Sequence, residues 1–275
     1  MKVMSAGNSV KKILALLFAL IYLLPLYIAV VNSVKSDAEI LLSPISLPRQ
    51  VVFDSFATAF YSSNILRLYR TSIIITVCSV AILIAFSSTA AYVIARRKGS
   101  FYSCLYVFSL AGIMVPPVVT LIPSIQTLQV LGLLHTMPGL FLFYSGTFFS
   151  TTIFLYVNFI KTIPLSLEEA AYIDGANQFT TFFRIIFPLL KPCTATAVIF
   201  LGMWVWNDFL NPMYILGTTG GMTITTGIHS SIGPYASRWN LVFANVILAT
   251  LPIIILYLCL QRQFMKGLTA GAVKG

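Results

Sequence analysis

Three of the few acidic side chains in this chain fall in one short polar stretch. Glu168, Glu169 and Asp174 lie between two long apolar runs, in a segment we call the acidic loop (residues 161–192). An acidic segment rich in small residues is typical of a docking surface for a basic or grooved partner. An ordinary amphipathic loop would have the same composition, so the residue types alone leave both interpretations open.

Residues of the kinds that catalyse reactions are otherwise scattered. A hydrolase or transferase needs clustered acids, bases or metal ligands, and neither histidine has such neighbours in sequence. The cysteines show no C-x-x-C spacing, which favours small apolar packing residues over a disulfide or metal site. No G-x-x-x-x-G-K-[ST] phosphate loop occurs. We therefore expect that the protein has no enzymatic activity and binds no metal or cofactor. The histidines and cysteines to which this applies are His135, His229, Cys78, Cys104, Cys193 and Cys259.

The composition indicates a membrane protein with several spans. The chain has 275 residues, of which 58% are hydrophobic and 9% charged, with a mean hydropathy of +0.92. Soluble domains carry about 25% charged residues, and a span needs about 20 mostly apolar residues. We predict an all-α bundle with six transmembrane helices, at about 13–31, 71–95, 103–125, 138–160, 193–213 and 240–261. Prolines and glycines place a short connection at about 126–137.

The basic residues predict which side of the membrane each loop occupies. The chain has a net charge of +10, and its charged residues lie in short clusters between apolar runs, which argues against a nucleic-acid partner. If both termini lie inside, Lys11–Lys12, Arg96–Lys98 and most other basic residues fall on the inner side, as the positive-inside rule requires. The acidic loop is then cytoplasmic. We read the first apolar run as a retained span, since it is longer than a signal-peptide core.

The predicted segments are a first span with an external loop (1–68), a core (69–262) and a cytoplasmic tail (263–275). In the core, Asp208 is the only acidic residue inside a predicted span. An ionisable residue inside a span indicates a functional site. Aromatic rings and amide groups suit the binding of sugars. We therefore regard as a candidate substrate path the residues Trp206, Asn207, Asp208 and Asn211. A structural or interfacial role is the alternative, because Trp is enriched at membrane interfaces.

The acidic loop has a predicted local structure. Ser166 and Glu169 fit the S-x-x-E capping box, which predicts a helix start. Leu167, Ala170, Ala171 and Asp174 share one small face by i, i+3, i+4 spacing, and Asp174-Gly175 signals a helix stop. A second helix would carry an apolar stripe that lies against the bundle, formed by Phe179, Phe182, Phe183, Ile186 and Phe187.

This loop resembles the EAA loop of ABC importer permeases, E-A-A-x2-D-G-A-x5-F-x5-P. Here the pattern reads Glu169-Ala170-Ala171, Asp174-Gly175-Ala176, Phe182 and Pro188. The stretch from Ile122 to Leu140 and the end of the chain, Gln261-Arg262 and Gly267–Gly275, are similar to the smaller permease of maltose-type and multiple-sugar importers. The resemblance extends over most of the chain, mainly from about 70 to 262.

The resemblance implies a sugar or oligosaccharide permease of the type I importer fold in the cell membrane. Its partners would be a second homologous permease, two copies of a cytoplasmic ATPase that binds the ATP, and an external sugar-binding protein. The ATPase-coupling residues would be Glu169, Ala170, Ala171, Asp174, Gly175 and Ala176. The glycine-rich loop 217–239 would probe the binding protein and the C-terminal tail would reach the ATPase pair; a flexible loop and a disordered tail are the alternatives.

Other classes fit the sequence less well. A permease for a non-sugar solute keeps the same motif. A membrane-embedded transferase lacks its catalytic cluster, and a proton- or sodium-coupled carrier would need ionisable residues near the bilayer midplane. A receptor or scaffold has no specific support.

Overall fold

The computed structural model describes residues 6–62, 64–230 and 238–272, with side chains described at 11–61, 64–230 and 238–262. Regular structure in these ranges is helical throughout, as predicted. A 3-10 turn at Gly112–Met114 and a π-helical turn at Phe182–Ile186 interrupt the α-helices. These are α1 (Ala6–Ser33), α2 (Asp37–Leu42), α3 (Asp54–Ser62), α4 (Ile65–Arg96), α5 (Ser100–Ala111), α6 (Pro117–Val130), α7 (Met137–Ile160), α8 (Ser166–Ile173), α9 (Gln178–Thr181), α10 (Phe187–Leu189), α11 (Lys191–Asn207), α12 (Leu210–Ile215), α13 (Ile224–Ser230) and α14 (Trp239–Ala272).

Several of these helices are long and apolar enough to cross a membrane. Among the described residues, four qualify alone: Lys11–Ser33, Ile65–Arg96, Met137–Ile160 and Trp239–Arg262. Two bent pairs bring the number to as many as six. The predicted spans 13–31, 71–95, 138–160 and 240–261 lie inside the four continuous helices, so the multi-span, all-helical class is confirmed.

The third predicted span is broken, which corrects the expectation of one helix over 103–125. Helices α5 and α6 meet at an angle of 103°. The cause is the Pro116-Pro117 pair: a proline disfavours the helical conformation of the residue before it, and Pro116 has an extended ψ of 129°. Pro117 then occupies the first turn of α6, where its missing N–H costs no hydrogen bond.

The fifth predicted span, 193–213, is also interrupted. Helix α11 ends at Asn207, and α12 starts at Leu210. Pro212 has no N–H to donate to the carbonyl of Asp208, so a regular helix cannot run through this point. That carbonyl accepts instead from the hydroxyl of Thr225, at 2.7 Å. At the other end, α11 is bent by 70° from the helical segment Gln178–Leu189.

The chain divides into two compact units. One comprises the residues up to Arg67 with Gly227–Leu251, and the other Leu68–Thr226 with the residues from Pro252 onward. Within the first unit, the fully buried Lys35 donates to the carbonyl of Ser43 at 2.7 Å. Asp37 accepts from the backbone N–H of Asn240 at 2.8 Å. Helices α2 and α3 were not predicted in this region.

The second unit contains the acidic loop and the Asp208 segment. One of its apolar clusters joins α4, α7, the start of α11 and the acidic loop through buried side chains that include Tyr92, Tyr156, Phe182 and Cys193. The rings of Tyr92 and Phe182 lie 5.1 Å apart. Because interiors are packed at crystal-like density, the loop is held firmly on the ends of α4 and α7.

Candidate functional site

Helix α8 of the acidic loop starts where the sequence predicts, but the predicted capping box is wrong. The N-cap residue is Leu165, and no side chain caps the helix there. Ser166 is already the first helical residue. The first turn forms through the carbonyls of Pro164 and Leu165, which accept from Leu167 and Glu168. The observed N-cap thus lies one residue before Ser166, the residue that the capping box requires as N-cap.

Gly175 ends α8 in a Schellman motif, as the predicted helix stop requires. Its φ is +82°, in the left-handed region. The N–H of Ala176 donates to the carbonyl of Ala171 at 2.9 Å, and that of Gly175 to Tyr172 at 3.1 Å. This pair of bonds satisfies the free carbonyls of a helix end. A Cβ at Gly175 would meet nothing within 4 Å, so the backbone angle alone demands glycine.

The inward face of α8 carries a buried charge. Glu168 is only 3% exposed, and its Oε1 accepts from Nε of Arg96 at 2.6 Å. Its Oε2 accepts from the hydroxyl of Tyr92 at 2.7 Å. Arg96 also donates to the carbonyl of Ile163 at 2.9 Å. Removing one partner of a buried pair costs about 3–5 kcal/mol, so these bonds fix the acidic loop on the end of α4.

The predicted small face of α8 is divided between the protein interior and the surface. Ala171 is buried beside Glu168, whereas Leu167, Ala170 and Asp174 are exposed. Glu168 and Ala171, three residues apart, form the inward face, and the exposed side combines acidic and apolar groups. Its large apolar members are Leu165, Leu167, Tyr172 and Ile173, the last 87% exposed. Of the predicted coupling set, Glu169, Ala170, Asp174 and Gly175 are exposed, Ala176 is half-buried and Ala171 is buried.

The predicted phenylalanine stripe is divided between two surfaces. Phe182 and Ile186 are buried in the core, as expected, but Phe179 and Phe183 are 77% and 56% exposed. The segment includes a π turn in which the N–H of Phe187 donates to the carbonyl of Phe182. Pro188 explains the turn, because a proline ring clashes with the carbonyl four residues earlier and widens the helix. The exposed rings extend the apolar part of the outward surface.

Asp208 is a structural hub at the break in the fifth predicted span. Its Oδ2 accepts from the hydroxyl of Tyr144 at 2.8 Å and from Nδ2 of Asn211 at 2.6 Å. Its Oδ1 accepts from the N–H of Asn211 at 3.3 Å, which caps the first turn of α12. With its carbonyl bound to Thr225, Asp208 joins α7, α11, α12 and the start of α13.

In the candidate substrate path, the structure places Trp204 rather than Trp206 beside the polar residues. Trp206 is buried and stacks on Tyr69, with ring centroids 6.3 Å apart. The exposed Trp204 instead faces an open cavity of about 420 Å³ together with Asn207, Asp208 and Asn211. Successive helical residues point about 100° apart, so Trp204 and Trp206 occupy different faces of α11. A volume of this size lies within the range of small-ligand sites.

The connection between α6 and α7 spans residues 131–136, inside the predicted 126–137. His135 has a φ of +62°, and its N–H donates to the carbonyl of Ile215 at 2.8 Å. A Cβ at Gly220 would lie 2.5 Å from the His135 carbonyl oxygen, so glycine is needed for this close approach. His135 thus ties the connection to the chain after α12. Of the predicted 217–239 loop, α13 is described, whereas 231–237, which includes Gly233, lie outside the described residues.

The sequence alone does not reveal the hydrogen-bond partners of Glu168 and Asp208. Arg96 stands in a basic cluster at the end of a predicted span, and Tyr92 stands one helical turn before it. The i, i+4 spacing of these two residues indicates a shared face, but nothing in the sequence links that face to Glu168. Tyr144 and Thr225 likewise lie far from Asp208 along the chain.

Comparisons with known proteins agree on one family. The profile described as "Binding-protein-dependent transport system inner membrane component" matches residues 81–269. The probable starch degradation products transport system permease protein AmyC of Thermoanaerobacterium thermosulfurigenes is 35% identical, with 95% of each chain covered. The melibiose/raffinose/stachyose import permease protein MelC of Bacillus subtilis (strain 168) is 33% identical, covering 96% of this chain and 95% of the relative.

A solved structure has the same fold. It is a chain of a bacterial ABC transporter involved in the import of the acidic polysaccharide alginate, with a TM-score of 0.82 and 22% identity. The match covers 96% of this chain and 100% of that one. The bent spans, the helical acidic loop and the matched sequence profile together show that this chain is a multi-pass membrane protein of the binding-protein-dependent transport system inner membrane component family.

Proposed function

We propose that this chain is a permease subunit of an ATP-driven importer of sugars or oligosaccharides in the cell membrane. The observation that carries the proposal is its similarity, over nearly its whole length, to permeases named for starch products and for melibiose, raffinose and stachyose. It would form the translocation path with a second homologous permease. Two ATPase subunits would supply ATP hydrolysis, and an external binding protein would deliver the sugar.

The orientation follows from the basic residues. With both termini inside, the acidic loop faces the cytoplasm, where the ATPase is. The exposed surface of α8 supports a docking role, since it combines Glu169 and Asp174 with apolar groups such as Ile173. Apolar contacts bordered by charges are typical of protein interfaces. The coupling residues are then Glu169, Ala170, Asp174, Gly175 and Ala176, with Ala171 supporting the helix from its buried side.

Charge reversal at Glu169 tests the docking surface. Glu169 is exposed, so Glu169→Lys should leave the fold intact and place a positive charge where the acidic group met a basic partner. Losing an interfacial charge pair weakens binding by about 2–5 kcal/mol. Co-purification with the ATPase from detergent should therefore fall strongly. Asp54→Lys is the matched control, because it makes the same change of charge at an exposed residue outside the acidic loop. Wild-type stoichiometry in the Glu169→Lys complex would remove Glu169 from the docking surface.

The cavity beside Asp208 is the proposed site at which the sugar contacts this chain. Trp204 offers an exposed ring face, and its neighbour Phe148 meets it edge-on at 5.7 Å. Asn207, Asp208 and Asn211 line the same cavity and carry groups that bond hydroxyls. Aromatic stacking and a few polar groups are the usual means of holding a small polar ligand. Trp206, which lies in the core, supports the helix rather than the path.

The two tryptophans separate these roles. Trp204→Ala should raise the sugar concentration needed for half-maximal uptake about two- to tenfold, because aromatic contacts are worth about 0.5–1.5 kcal/mol. Its melting temperature should fall less than that of Trp206→Ala, because Trp204 is largely exposed and gives up an edge-on contact with Phe148. Trp206→Ala should lower the melting temperature, because it removes a buried side chain. Uptake kinetics and melting curves of both variants test the assignment, and wild-type uptake by Trp204→Ala would contradict it.

The proposed substrate class has its own test. The assembled complex is reconstituted in liposomes and its ATPase activity is measured with the binding protein and a panel of saccharides. Stimulation by one or more mono- or oligosaccharides supports a sugar importer. Stimulation only by amino acids, peptides or inorganic ions would indicate a permease for a non-sugar solute. A membrane-embedded transferase would modify the saccharide, which chromatography of the recovered sugar would detect.

A further inference from the structure

We propose that α4 is a rigid rod that links the acidic loop to the start of α13. One end holds Glu168 through Arg96 and Tyr92, and the other holds the backbone of Ile224 through Ser72. The inference rests on the proposed function, because it assigns the rod to communication between the ATPase side and the binding-protein side. Glu168 and Ser72 are then positioning residues, neither of which touches sugar or ATP.

The end near the acidic loop is fixed by charge. Glu168 is buried and bonded through both carboxylate oxygens, to Arg96 at 2.6 Å and to Tyr92 at 2.7 Å. Both partners belong to α4 and stand one helical turn apart. Pulling Glu168 away would leave the largely shielded Arg96, 14% exposed, without its counter-charge, which is unfavourable. A displacement of α8 therefore carries the end of α4 with it.

The opposite end is fixed by a backbone hydrogen bond. The N–H of Ile224 donates to the hydroxyl of Ser72 at 2.8 Å, and both residues are buried. Thr223 and Thr225 share a hydroxyl contact at 2.9 Å beside it. Thr225 in turn donates to the carbonyl of Asp208. The start of α13 is thus tied both to α4 and to the hub at the end of α11.

Helix α4 is suited to transmit a displacement between these ends. It runs unbroken over 32 residues, and its sequence contains neither proline nor glycine. The distance from Ser72 to Arg96 is about 36 Å at 1.5 Å per residue, which exceeds the hydrocarbon thickness of about 30 Å. Other spans are less rigid by sequence: α5 and α6 are bent by 103°, and α1 and α14 contain Pro25 and Pro252.

The proposal predicts that either end can interrupt the signal. In the complete complex in liposomes, Glu168→Gln and Ser72→Ala should each reduce the stimulation of ATPase activity by the sugar-loaded binding protein. Coupling energies between sites correspond to about 5- to 150-fold effects, so we expect a loss of at least about fivefold. Basal ATPase activity should persist. Ser79→Ala is the matched control, a buried serine of α4 whose hydroxyl has no hydrogen-bond partner among the described residues.

The double variant decides between a rod and two local effects. Changes at sites this far apart normally combine additively in free energy. If one rod carries the signal, Glu168→Gln with Ser72→Ala should lose no more stimulation than the stronger single variant. Multiplied losses, or wild-type stimulation in both single variants, would overturn the proposal.

Tyr92→Phe keeps the test decisive if Glu168→Gln prevents assembly. It removes one hydrogen bond to Glu168 and preserves the ion pair with Arg96, and it should give a smaller loss that also fails to combine with Ser72→Ala. If the wild-type complex shows no stimulation by any sugar-loaded binding protein, the proposed function itself fails. If the wild type is stimulated and the variants match it, only the rod fails.

Discussion

Gly175→Val is expected to abolish most sugar uptake while the complex still assembles and hydrolyses ATP. The φ of +82° at Gly175 is hostile to a β-branched side chain. An ordinary L-residue in the left-handed region loses about 1–2 kcal/mol. Relief of this strain would open the Schellman turn and re-aim α8 relative to the helical segment that starts at Gln178. Because coupling energies are about 1–3 kcal/mol, uptake per ATP hydrolysed should fall about tenfold or more.

Gly175→Asn is the matched control for this prediction. Asparagine tolerates the left-handed conformation better than other non-glycine residues, and a Cβ at this position meets no atom within 4 Å. It should therefore keep most of the uptake. The measurement is the ratio of sugar imported to ATP hydrolysed in liposomes. A normal ratio for Gly175→Val would show that the geometry of this turn does not matter for coupling.

Asp208→Ala should cause the second large loss, chiefly through structure, in addition to the lost contact with the sugar. The substitution removes the three hydrogen bonds of the Asp208 carboxylate, one to Tyr144 of α7 and two to Asn211 of α12. It also leaves the hydroxyl of the fully buried Tyr144 without its acceptor. An unsatisfied buried polar group costs about 1–3 kcal/mol. We expect the melting temperature of the purified permease to fall by roughly 2–4 °C for each kcal/mol of stability lost, and uptake to fall with the amount of folded permease.

A double-mutant cycle with Tyr144→Phe tests this explanation. Tyr144→Phe removes the donor that Asp208→Ala would strand, so the double variant should be more stable than the sum of the single effects predicts. If Asp208 serves chiefly to bind sugar, Asp208→Ala would change the half-saturating sugar concentration and leave the melting temperature unchanged. That result would contradict the hub.

The helical class, the approximate spans and the start and end of α8 could be predicted from sequence because each depends on local chemistry. Long apolar runs can satisfy their backbone in a membrane only as helices. Asp174-Gly175 signals a helix stop wherever it falls. The breaks at Pro116-Pro117 and before Pro212 were also within reach of the sequence, since both follow from proline geometry. A prediction from hydropathy alone does not show these two breaks, because both lie within apolar stretches.

The inward and outward faces of α8 and α11 could not be predicted in the same way. Helical spacing says which residues share a face, but not which face meets the protein interior. Spacing places Leu167, Ala170, Ala171 and Asp174 on one face of α8, yet Ala171 turns inward because Glu168 beside it meets Arg96. Trp206 was chosen for the path, yet it packs on Tyr69 while Trp204 faces the cavity. Both outcomes depend on residues distant in sequence.

The most direct test of the account is ATP-driven accumulation of a sugar in liposomes that contain the complete complex. Labelled saccharide is supplied with its binding protein on one side, and ATP on the side of the acidic loop. The account predicts accumulation above the external concentration that requires ATP and the binding protein and is lost in Gly175→Val. Accumulation that persists without ATP, or equal accumulation by Gly175→Val, would contradict coupling through this loop.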